Sequence, residues 1–123
     1  EAPDVTIVTY SGMLPIVERT AEELMAEELS VEILVPALLN PVPAHQLRRH
    51  LLDRESVLVI EEGYGESGFG TALGAMLLEA GFRGRFARVS PPPVPIPPAR
   101  SLESSVLPGQ TRIMESVLRA LDL

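Results

Sequence analysis

A three-layer α/β/α fold around a mainly parallel sheet, strand order 2-1-3-4, is predicted by three features of these 123 residues. Short β-branched runs alternate with stretches whose apolar residues recur every three to four positions, the signature of βαβ units. Breakers such as Pro41, Pro43 and Gly81 stand where one period gives way to the other. The connections are short, and right-handed crossovers between four such strands lead to that order.

Val5-Thr6-Ile7-Val8-Thr9-Tyr10 reads as a buried first strand. Ser11 is placed to cap a first helix that tolerates Pro15 in its opening turn. Met13, Val17, Ala21, Leu24, Met25 and Leu29 form its apolar stripe, and Glu22, Glu23, Glu27 and Glu28 lie off it as a solvated face. Val31 to Val35 is the second strand, and a short helix through Leu47 and Leu51 leads to the third, Val57 to Glu61. An apolar helix from about Phe69 to Glu79 stops at Gly81, and Phe86 to Val89 reads as the fourth strand. The proline-rich stretch 90–108 is an extended strap, followed by a last helix over Gln110–Leu121 with Ile113, Val117, Leu118 and Leu121 on one face. An antiparallel edge strand would have to precede Glu1, and the start without Met reads as a piece of a longer chain.

At this length one domain buries roughly two-thirds of its unfolded surface. A hydrophobic content of 46% with 22% charged residues makes the chain globular. No cysteine is present, which excludes disulfides, thiolate chemistry and Cys-based metal sites. All ten basic residues are Arg, so Schiff-base and Walker-type lysine mechanisms are excluded as well. A net charge of −7 argues against nucleic acid, and no apolar run reaches the length of a membrane span. A cytoplasmic, bacterial setting is expected.

The stretch Gly63-Tyr64-Gly65-Glu66-Ser67-Gly68 spells G-x-G-x-x-G between a strand and a helix, the context of a dinucleotide loop. It follows the third strand rather than the first, lacks an acidic partner after the fourth, and sits among Glu61, Glu62 and Glu66. Three carboxylates repel a pyrophosphate, so the glycines are read as a tight turn with close backbone approach to protein. A nucleotide- or flavin-binding, flavodoxin-like module is the alternative from another class. His45 and His50 fall on different faces of a helix and make a poor metal pair. Tyr10 ends the first strand, where either function or core capping applies, and no G-x-S-x-G elbow is present. The strap's P-x-x-P pattern would suit an SH3-type groove, but its place between ordered elements favours packing.

Several segments in order resemble the C-terminal domain of the beta subunit of thiamine-diphosphate-dependent 2-oxoacid dehydrogenases, a transketolase C-terminal-domain-like unit. Asp4 to Met13 resembles its opening strand, Leu38-Leu39-Asn40-Pro41 its L-x-P turn, and Val57 to Gly63 with Ser67-Gly68-Phe69-Gly70 its strand, glutamate and G-G-F-G helix entry. Val94-Pro95-Ile96-Pro97, Leu102-Glu103 and Leu107-Pro108 resemble its closing strap. The chain departs from the pattern at Val35-Pro36-Ala37, Gly65-Glu66 and Ser67. Transketolase and deoxyxylulose-phosphate synthase carry related domains.

The resemblance implies a non-catalytic assembly domain whose parent decarboxylates a 2-oxoacid and transfers the acyl group to lipoyl-lysine. Thiamine diphosphate and magnesium would lie between other domains, so no residue here is assigned a catalytic, cofactor-binding or metal role. Implied partners are an alpha subunit, a second beta subunit and the peripheral-subunit-binding domain of the acyltransferase core. The interface candidates are Glu62, Gly68, Phe69, Gly70, Pro95, Ile96 and Pro97, with Phe69 expected as an apolar anchor and Gly68 and Gly70 allowing close approach.

Overall fold

The computed structural model describes residues 2–36, 44–61, 68–89 and 109–122. Val5–Thr9 (β1), Val31–Leu34 (β2), Ser56–Ile60 (β3) and Arg85–Val89 (β4) form one sheet in the order β2-β1-β3-β4. All three neighbouring pairs are parallel, with Ile7 level with Ile33 and Leu58, and Leu58 level with Ala87. The predicted order therefore holds, with its switch point between β1 and β3. Every residue of those two central strands is buried, which explains their unbroken apolar spelling: helices cover both faces.

Leu14–Ala26 (α1), Ala44–Leu51 (α2), Phe69–Glu79 (α3) and Gln110–Ala120 (α4) are the helices among the described residues. Val17 and Leu24 of α1 and Ile113 and Val117 of α4 pack with Ile7, Leu58 and Ile60 on one face. Leu47 and Leu51 of α2 and Phe69, Leu73 and Leu77 of α3 pack with Val8, Val57 and Val59 on the other. Each fully buried Leu, Ile or Val contributes about 1.5–3 kcal/mol relative to exposure, so these two clusters supply most of the driving force. None of the described helices is long and apolar enough to cross a membrane.

Two details of α1 differ from the sequence reading. Ser11–Met13 forms a 3₁₀ turn, so Met13 holds the N-cap position and no side chain caps the helix. Met25 is 51% exposed, because the buried stripe runs through Thr20 as well as Val17, Ala21 and Leu24, which rotates its centre away from Met25. Thr20 is accommodated by donating its hydroxyl to the Ile16 carbonyl at 3.0 Å.

The ends of α1 and α3 use one solution with different residues. Phe82 N–H bonds Leu77 O at 2.9 Å and Gly81 N–H bonds Leu78 O at 3.2 Å, a Schellman closure with Gly81 at φ +87°. After α1, Leu29 N–H bonds Leu24 O and Glu28 N–H bonds Met25 O, but Glu28 occupies the left-handed position at φ 65°. A side chain there costs about 1–2 kcal/mol. Glu28→Gly is therefore expected to stabilise the fold by about 0.5–1 kcal/mol after the glycine's extra unfolded-state entropy is subtracted. Urea denaturation measures this, and a loss of stability contradicts it.

A polar cluster stands at the amino end of the sheet. Glu32 on β2 accepts from Thr6 Oγ1 at 2.9 Å and from Arg54 Nε at 3.1 Å, and His50 Nε2 lies 2.8 Å from its other oxygen. His50 is thus a half-buried member of a network, whereas His45, on a different face of the helix, is exposed. Burial acts to raise the Glu32 carboxyl, but hydrogen bonds from Arg54, His50 and Thr6 outweigh it and hold the group below its usual range. Glu32→Gln is expected to lower stability by about 1–2 kcal/mol at neutral pH, given partial exposure of the cluster. A depressed carboxyl stabilises above its unfolded value and loses that contribution as pH falls through the folded one. The cost of Glu32→Gln must therefore shrink in acid, which urea titrations at two pH values check.

Candidate assembly site at the carboxyl edge of the sheet

The start of α3 presents a local problem. Gly68, at its N-cap, has extended backbone and no side chain, so it offers the first free N–H groups no capping acceptor of its own. Glu61, the first residue past β3, supplies the acceptor from across the loop. Its two carboxylate oxygens lie 3.2 and 3.1 Å from Gly70 N, the N2 position that a capping side chain would ordinarily serve. The anion also meets the positive end of the helix dipole.

Glu61 is completely buried. Tyr10 O–H donates to Oε1 over a long 3.5 Å, and the Tyr10 ring meets Phe69 edge-on, centroids 6.0 Å apart at 79°. Arg88, whose Nη1 donates to Thr71 Oγ1 at 3.1 Å, brings a cation to the same corner. Burial pushes the Glu61 carboxyl above its usual range. The Gly70 N–H, Arg88 and Tyr10 oppose that push without cancelling it. Thr9 Oγ1 donates to Ile60 O at 3.0 Å and Glu61 N–H to Val89 O at 3.0 Å, so β1, β3 and β4 hold the carboxylate's base rigid.

Of the sequence-derived interface residues, Gly68 is half-buried and Phe69 and Gly70 are buried. Phe69 is only 7% exposed, with its ring spent on the domain's own core rather than offered outward. Glu62, Pro95, Ile96 and Pro97, with the whole strap 90–108, lie outside the described residues. Sequence reasoning chose Glu62 and missed Glu61. Strand parity carried the signal: Val57, Val59 and Glu61 share the face that meets α3.

Chemically, the corner closes the α3 N-terminus to an external anion, because an internal carboxylate already sits there. What α3 leaves open is its outer side, where Thr71, Ala72, Ala75 and Leu78 are exposed.

The sequence pattern of the transketolase C-terminal domain matches residues 1–113. The chain belongs to the transketolase C-terminal domain family. The beta subunit of the pyruvate dehydrogenase E1 component from Leifsonia xyli is 34% identical to this transketolase C-terminal domain over 121 residues, 96% of the chain and 36% of the relative. The mitochondrial counterpart from Dictyostelium discoideum is 28% identical over 122 residues, 97% of the chain and 34% of the relative. The chain thus spans about a third of the length of the curated relatives it matches.

Among solved structures, a split gene transketolase described as an inactive beta4 tetramer superposes with a TM-score of 0.84 at 24% identity, covering 100% of this chain and 41% of that one. A 2-oxoglutarate:ferredoxin oxidoreductase from Magnetococcus marinus gives a TM-score of 0.65 at 18% identity, covering 98% of this chain and 18% of that one. At such identities both establish the fold alone.

Proposed function

We propose that this transketolase C-terminal domain is the assembly and partner-docking domain of a thiamine diphosphate-dependent 2-oxoacid dehydrogenase beta subunit of the pyruvate type. The observation that carries the reading is the similarity of nearly the whole chain to pyruvate dehydrogenase E1 beta subunits. The parent enzyme decarboxylates a 2-oxoacid and passes the acyl group to lipoyl-lysine, and this domain holds subunits together. Its partners are an alpha subunit, a second beta subunit and the peripheral-subunit-binding domain of the acyltransferase core.

The described residues do not fit a diphosphate–magnesium site. Glu61 fills the α3 N-terminus, and no three His, Cys, Asp or Glu side chains converge among the described residues. The same carboxylate counts against a dinucleotide or flavin phosphate at that helix. Gly68, Phe69 and Gly70 are proposed to serve assembly indirectly, by fixing where α3 begins and how close it lies to the sheet. Glu62, Pro95, Ile96 and Pro97 complete the proposed interface.

The test is a chimera in which this chain replaces the C-terminal third of the Leifsonia xyli beta subunit. It is expected to assemble with that organism's alpha subunit by light scattering and to release carbon dioxide from a 2-oxoacid. A soluble, folded chimera that stays unassembled overturns the proposal.

A further inference from the structure

On the sheet face opposite α3, helices α1 and α4 lie side by side with a groove between them. Its volume is about 470 Å³, inside the range of about 300–1,000 Å³ that small-molecule sites occupy. Leu24, Leu29, Met114 and Leu118 line it together with Glu23 and Glu27. Leu24 is buried, and Leu29, Met114 and Leu118 pack against the core while staying half-exposed, so the floor is apolar.

The charge at its rim is all of one sign. Glu23 and Glu27 are exposed and stand one turn apart on α1, where like charges repel. Glu27 is also the C-cap of α1, at the negative end of the helix dipole, which favours a cation. The last turn of α1 holds no basic residue, and no ion pair among the described residues reaches either carboxylate. Glu23 accepts from the neutral side-chain amide of Gln110, which draws it toward α4. Two carboxylates and a helix carboxyl end thus converge on an apolar groove.

We propose that the α1–α4 groove binds a small organic cation, a protonated primary amine on a short unbranched alkyl chain. The ammonium donates to Glu23 and Glu27, and the chain lies along Leu24, Leu29, Met114 and Leu118. The net charge of −7 raises the local concentration of such a cation and lowers that of any anion. The length of the floor selects a small molecule over a partner helix. Met114 and Leu118 are one turn apart, about 6 Å along the axis, whereas a docked helix spreads its anchors over about 10 Å. This site goes beyond the assembly reading and stands or falls without it.

The test is calorimetric titration of the whole chain with n-hexylamine, n-butylamine and hexanoate at millimolar concentration and low salt. n-Hexylamine is expected to bind about tenfold more tightly than n-butylamine, at about threefold for each added methylene. Hexanoate carries a similar chain with the opposite charge and should not bind. Glu27→Gln should weaken n-hexylamine about fivefold, the scale of one exposed ion pair. The same substitution should raise the Tm of the chain alone by about 2 °C, because it removes a like-charge pair. A purely structural role for Glu27 would not give those opposite effects. Glu22→Gln, exposed on α1 but outside the groove lining, should leave the affinity unchanged. The proposal is overturned if n-hexylamine does not bind, or if hexanoate or n-butylamine binds as well as n-hexylamine. Equal losses from Glu22→Gln and Glu27→Gln also overturn it, since they would mean general attraction of the amine to an acidic chain.

Discussion

Gly70→Ala is expected to lower the unfolding free energy by about 2–4 kcal/mol, the range of overpacking combined with damage to a buried polar contact. A Cβ built at Gly70 falls 2.3 Å from Glu61 Oε2 and 3.0 Å from Arg88 Cδ. The carboxylate cannot yield cheaply. It is fully buried, its oxygens serve the Gly70 N–H, and its backbone is pinned by a hydrogen bond to Val89 O. Pushing α3 outward would relieve the clash, yet Leu73 and Leu77 hold the helix against Val57 and Val59. The glycine here is required for space and not for backbone conformation. Urea denaturation of Gly70→Ala decides the matter: a loss below about 0.5 kcal/mol, the level of an ordinary surface change, would show that α3 is free to shift. Glu61→Ala in the same background provides the control. By removing the opposing carboxylate it should recover part of the loss, a coupling that a general helix effect would not produce.

The fold was legible because its signals are local and repeated. Strand order, the α3 boundaries and the Gly81 stop follow from period, length and one breaker residue, each readable within a few positions. The corner around Glu61 was harder for a definable reason. Two adjacent glutamates follow β3, and only the two-residue alternation of the strand says which of them turns toward α3. Applied one residue past the end of the strand, that rule selects Glu61. His50 was less accessible still, since it meets Glu32 only through the packing of α2 beside the sheet, and sheet register in turn sets Glu32 against Thr6. Met25 shows the limit of counting apolar residues: a buried Thr20, satisfied by its own helix, moved the stripe. Phe69 shows another limit, because an aromatic beside two glycines reads equally as an anchor for a partner and as a member of the core.

Glu61→Gln should gain stability relative to the parent chain as pH rises from acid to mildly alkaline solution. The sign follows from burial. Desolvation raises the folded-state value of the carboxyl above the usual value near 4.5, so the folded state binds this proton more tightly than the unfolded state does. A raised group contributes stability that is fully present below its unfolded value and is lost as pH rises through its folded one. The amide introduced by Glu61→Gln cannot ionise and keeps an oxygen to accept from Gly70 N–H, so the variant escapes that loss. In acid, where Glu61 is protonated, the two side chains are near equivalents and the variants should match closely. Glu32 runs the other way, its stabilisation vanishing as pH falls, so the pair should move the stability curve in opposite directions. Denaturation midpoints for the parent, Glu61→Gln and Glu32→Gln across a pH series separate the two. Should Glu61→Gln lose ground as pH rises, then the Gly70 N–H, the helix dipole and Arg88 together outweigh burial, and Glu61 is a net stabilising anion at neutral pH.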